Sequence, residues 1–126
     1  MEKEDVQYIV DQSYPLIKKY YGKGKLDYPS IELHQDIYAR LSGDPEARGE
    51  HSDTSIAQYD KGKIFIYYPN INTEEDILRA LIHEYTHYTQ DSKLFAKYRD
   101  MYDYDEDPTE IEAHKNEEDW PMFSQK

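Results

Sequence analysis

Across residues 72–90 the apolar positions Ile77, Leu78, Leu81, Ile82, Tyr85 and Tyr88 recur at steps of three and four. That spacing predicts a helix with one buried stripe. Thr73, three residues before Asp76, has the form of a helix start in which a hydroxyl accepts from a free amide, and Glu74, Glu75 and Asp76 suit the positive end of the helix dipole. Residues 4–21 carry Val6, Ile9, Val10, Ile17, Tyr20 and Tyr21 at mostly helical spacing and run out at Gly22-Lys23-Gly24, with Pro15 expected to kink or divide the helix. Leu94, Phe95, Tyr98, Met101 and Tyr102 predict a further helix starting near Asp91 or Ser92. An acidic loop, 103–107, leads to Pro108 and a last helix reaching about Asp119.

Between the helices the pattern shortens. Residues 30–33 read as a strand, 36–41 as a helical turn, and 42–53 as a mobile polar loop. Residues 54–59 and 63–68, separated by Asp60-Lys61-Gly62, read as a hairpin whose second strand Pro69 ends. The segment 120–126, starting Trp120-Pro121-Met122-Phe123, is short and apolar, and is expected either to cover a groove or to dangle.

The length, 126 residues, suits one domain with a modest core. Hydrophobic residues make up only 37%, but fourteen tyrosines supply large rings that can be buried while their hydroxyls stay bonded. Cysteine is absent, which removes disulfides and thiolate metal ligands. A net charge of −12 argues against direct nucleic-acid or anionic-membrane binding, because phosphate contacts need clustered Lys and Arg. No apolar run approaches twenty residues and no secretion signal opens the chain, so a cytoplasmic location is expected.

Against this background the pentapeptide His83-Glu84-Tyr85-Thr86-His87 stands out. Residues four apart share a helix face, so both imidazoles can reach one metal ion with Glu84 beside it. With no thiolates available, zinc would be held by His and carboxylate, and a catalytic zinc takes three protein ligands. The third ligand is sought in Pro108-Thr109-Glu110-Ile111-Glu112-Ala113-His114. Glu110 shares its face with Ala113, His114 and Glu117, where the small alanine permits close approach to the motif helix. Glu112 shares a polar face with Pro108, Thr109, Lys115 and Asn116, which suggests solvent. Glu110 is therefore favoured over Glu112. A competing reading makes it a capping-box carboxylate behind Asp107, with no need of a metal.

The run 83–90, followed by Glu110-Ile111-Glu112-Ala113-His114, resembles the gluzincin class of zinc metallopeptidases, and more closely small single-domain gluzincin-like proteins. The resemblance covers residues 77–114. It implies an α+β, minimal zincin-like fold, with a small, mostly antiparallel sheet packed on the HExxH helix and a following helix that carries the third ligand. It also implies one zinc per chain held by His83, His87 and Glu110, with Glu84 as general base hydrolysing peptide bonds in a peptide or protein substrate. Where that family has Asp or Asn, this chain has His114, which would orient a ligand by hydrogen bond. Tyr98, Tyr102 and Tyr104 are the candidate donors to an oxyanion.

A competing expectation is a catalytically silent zincin-fold protein whose acidic surface binds a basic partner. Calcium binding by residues 103–107 fails on spacing, since Pro108 and His114 stand where an EF-hand loop needs glycine and glutamate. His34 and His51 read as ordinary polar residues.

Overall fold

The computed structural model describes residues 1–35, 40, 41, 43 and 56–124. The predicted helical turn at 36–39, most of the loop at 42–53, the start of the predicted hairpin strand at 54–55, and His51 lie outside them.

The described chain is α+β, with four helices of eight or more residues and a three-stranded mixed sheet. Helix α1 (Lys3–Tyr21) runs through Pro15 without dividing, contrary to the expectation from proline. One face of it, Val6, Ile9, Val10, Ser13 and Ile17, is buried on both sides of the proline, so packing supports both halves. The helix ends at Gly22, whose φ of 84° lies in the left-handed region.

Strands β1 (Ser30–His34), β2 (Ala57–Asp60) and β3 (Lys63–Tyr67) form a sheet of order β1-β3-β2. β2 and β3 are the predicted antiparallel hairpin. Its turn places Lys61 (φ 49°) and Gly62 (φ 83°) in the left-handed region, as a two-residue turn matched to strand twist requires. β1, however, pairs parallel with β3, Ile31 opposite Ile64 and Leu33 opposite Ile66. The sheet is therefore mixed and not mostly antiparallel. β3 is central and nearly all buried, which explains its unbroken apolar run.

Helix α2 (Glu74–Thr89) crosses one face of this sheet. Thr73 caps it with a complete capping box: its hydroxyl accepts from the Asp76 amide at 3.1 Å, and Asp76 accepts from the Thr73 amide at 3.2 Å. Its stripe Ile77, Leu78, Leu81, Ile82, Tyr85 and Tyr88 is buried against α1, Ile64, Ile66 and Phe123. Helix α3 (Ser92–Met101) starts where the sequence suggests, with Asp91 accepting from the Lys93 amide at 2.8 Å. Helix α4 (Pro108–Glu117) then returns alongside α2, and Ala113, fully buried, lies in their interface. The segment at 120–123 neither covers the site nor dangles. It forms a short 3-10 turn that seats Phe123 in the core beside Tyr20 and Tyr21. No described helix is long and apolar enough to cross a membrane.

Candidate metal centre

His83 and His87, one turn apart on α2, bring their Nε2 atoms to 3.2 Å from each other. Glu110, in the first turn of α4, sets Oε1 2.5 Å from His87 Nε2 and Oε2 3.6 Å from His83 Nε2. Ligand atoms about 2.05 Å from a tetrahedral zinc stand about 3.3 Å apart, so these three separations bracket what one ion needs.

The outer contacts fix which ring nitrogen faces inward. The side-chain Nε2 of Gln90 donates to the Thr109 carbonyl and to Glu112 Oε1, both at 2.9 Å, so the Gln90 oxygen is the atom turned to His87. His87 Nδ1–H donates to that oxygen at 2.8 Å, which leaves Nε2 with its lone pair toward Glu110. His83 follows the same logic: Nδ1–H donates to Glu117 Oε2 at 2.7 Å, and Nε2 points inward. With both rings neutral, two imidazole lone pairs and a carboxylate thus converge on one point. Glu110 Oε1 is fully buried and faces His87 Nε2, which then has no hydrogen to give it. Acceptors pressed together in this way require a positive charge between them.

Electrostatics agree. Burial works against protonation of His83, but hydrogen bonds to Glu110 and Glu117, with the charges of Glu84 and Glu110, push its pKa up to about 10. Burial works the other way on Glu110, yet its contacts with His83, His87 and Tyr104 hold its carboxyl well below the usual carboxylate range. A proton captured here does the work that a metal cation would do.

Glu84 points from α2 toward the hairpin, where Oε1 accepts the Tyr59 backbone N–H at 3.0 Å. Burial raises its pKa above the ordinary carboxylate value, against the opposing pull of His83, His87 and that amide. Among the described strands β2 lies at the edge of the sheet and β3 at its centre. The cluster lies in a cleft of about 840 Å³, a volume ordinary for ligand sites.

The structure separates the remaining sequence candidates. Glu110 reaches the histidines, whereas Glu112 is exposed and bonds Gln90. The capping-box reading of Glu110 is not adopted, because Asp107 caps α4 alone by accepting from the Thr109 amide at 2.9 Å. The polar face assigned to Glu112 is also less exposed than expected: Thr109 is buried, and Asn116 donates to Thr86 Oγ1 at 3.0 Å. His114 does not touch a candidate ligand through a hydrogen bond. Its Nδ1 donates to Glu117 Oε2 at 2.9 Å, and its ring packs edge-on against His83 with centres 4.7 Å apart. Of the three tyrosines, only Tyr104 lines the cleft, 2.9 Å from His114 Nε2 and within reach of Glu110. Tyr98 and Tyr102 pair with each other on and just after α3. His34 bonds Glu32 on the sheet, away from the cleft.

Glu117 and Gln90 are the positioning residues that sequence reasoning assigned no role. Their signals were spacing: Glu117 stands seven residues after Glu110 on the same face, and Gln90 three after His87. Comparison with family models, curated proteins and solved structures finds no match to this chain.

Proposed function

We propose that this chain is a zinc-dependent peptidase of the gluzincin type, with His83, His87 and Glu110 as ligands and Glu84 as general base. The observation that carries the reading is the convergence of two inward-facing Nε2 atoms and a buried carboxylate beside a second, independently held carboxylate. Bound zinc would supply activation of a water and polarisation of a peptide carbonyl. Glu84, with its pKa raised by burial, accepts the proton from that water and returns it to the leaving amine. The Tyr59 amide keeps the Glu84 carboxylate turned into the cleft. Tyr104 offers a neutral O–H to developing negative charge. The cleft beside Glu84, walled by β2 and α3, has the volume to take an extended peptide.

Metal analysis of protein purified without chelator tests this. About one zinc per chain is expected, and His87→Ala should abolish it. Unchanged metal content in that variant overturns the ligand set. Glu84→Gln should keep the zinc and lose peptide hydrolysis, and retained turnover removes Glu84 from its role.

A further inference from the structure

The chain as a whole carries 27 acidic against 15 basic residues. The cleft is built differently. Apart from the ligands and Glu84, its walls carry Lys25, Arg40, Lys61 and Arg99 against a single acid, Asp60. Two of these cations are partly spoken for: Arg40 lies 3.5 Å from Asp60, and Lys25 lies 3.1 Å from Asp91. Lys61 and Arg99 have no ion-pair partner among the described residues, and both are exposed.

Their placement ties them to the reacting centre. Arg99 stacks its guanidinium 4.5 Å from the centre of the Phe95 ring, and Phe95 packs edge-on to His87 with ring centres 5.2 Å apart. The guanidinium therefore stands one aromatic ring away from a ligand histidine, held in a fixed place on α3. Lys61 sits in the hairpin turn, at the end of β2. Arg99 and Lys61 thus line the same cleft as Glu84 from two different elements, α3 and the hairpin turn.

We infer that the cleft selects peptides carrying a carboxylate beside the scissile bond, with Arg99 as the principal recognising group and Lys61 assisting. The inference rests on the peptidase reading for the position of that bond, but the recognition itself is a matter of binding. The acidic exterior does not contradict it. Surface charges beyond about 8 Å are screened at physiological ionic strength, whereas an exposed guanidinium at the cleft wall still acts on a group that touches it. A carboxylate also matches the planar fork of arginine in a way a single amine does not.

The test uses the zinc-loaded Glu84→Gln protein, so that binding is read without turnover. Fluorescence anisotropy with labelled decapeptides compares glutamate, alanine and lysine at the positions flanking a central bond. A further arm presents the carboxylate only as a free C-terminus, with its amide as control. Glutamate peptides should bind about tenfold more tightly than lysine peptides at low salt, with the margin shrinking as salt rises. Arg99→Glu should erase or reverse that order while zinc content and binding of the alanine peptide stay unchanged. If only the free C-terminus gains affinity, the same carboxylate site reads chain ends. Equal binding of glutamate and lysine peptides, or an unaltered preference in Arg99→Glu, overturns the inference. Wild-type protein that binds zinc and glutamate peptides yet cleaves none would overturn the peptidase reading alone.

Discussion

Glu117 Oε2 accepts the Nδ1–H of His83 at 2.7 Å and the Nδ1–H of His114 at 2.9 Å, so one carboxylate oxygen orients a ligand histidine and is itself steadied from the solvent side. Arg79 stands 3.9 Å from the other oxygen. The resemblance expects an orienting contact from position 114; here His114 bonds Glu117, and the contact to His83 Nδ1 comes from Glu117, one turn further along α4. Glu117→Ala should therefore weaken zinc binding about ten- to a hundredfold with the fold intact, read by competition with a chromophoric chelator. His114→Ala, which removes only the half-exposed outer support, should cost several-fold less. Equal losses in the two variants would mean that His114 contributes more than its contact with Glu117.

Tyr104 is placed for a different job. Its phenol lies beside Glu110 and His114 at the cleft wall, and burial raises its pKa together with the surrounding carboxylates, so the hydroxyl stays protonated as a donor at every physiological pH. Tyr104→Phe keeps the ring and deletes only the donor. Zinc content should be unchanged and kcat should fall by about a hundredfold, with KM moving little. A change confined to KM would place the hydroxyl in substrate binding instead. Tyr98→Phe and Tyr102→Phe, away from the cleft, should leave both constants unaltered.

The helix starts were legible because their signals are local: Thr73 with Asp76, and Asp91 before Ser92, act within three residues of chain. The HExxH pair and Glu110 were legible because helical spacing converts directly into a shared face. What could not be read depends on partners distant in sequence. Nothing in residues 30–34 states that they pair parallel with β3, since strand direction is set by how the intervening chain returns. Pro15 does not divide α1, because proline reports a lost hydrogen bond, whereas burial of Val6 through Ile17 on both sides of it keeps the helix going. Glu117 was visible on the face of Glu110, yet its role requires knowing that His83 turns Nδ1 toward it.

Thr73 separates stability from the site. Its capping box lies at the end of α2 opposite His87, and its side chain bonds the Asp76 amide. Thr73→Ala should cost about 1 kcal/mol, seen in urea titration as a lower midpoint with unchanged slope. Zinc stoichiometry should be untouched. A parallel loss of metal would show that the start of α2 is coupled to its histidine end.

Ala113 is the opposite case, a residue with no chemistry on which the geometry depends. It is fully buried in the interface between α2 and α4, one turn after Glu110. Enlarging it pushes the helices apart, and the site tolerates little of that, since Glu110 meets His87 at 2.5 Å while its other oxygen already stands 3.6 Å from His83. Ala113→Leu should destabilise the fold by about 1–3 kcal/mol. It should also lower zinc affinity by more than Glu117→Ala does, because it displaces a ligand and not merely the group that orients one. Ala113→Gly leaves room for the approach and costs about 1 kcal/mol of helix propensity. That variant should lose stability and keep zinc. If both substitutions weaken metal binding equally, helix stability governs the site, and the spacing between α2 and α4 does not.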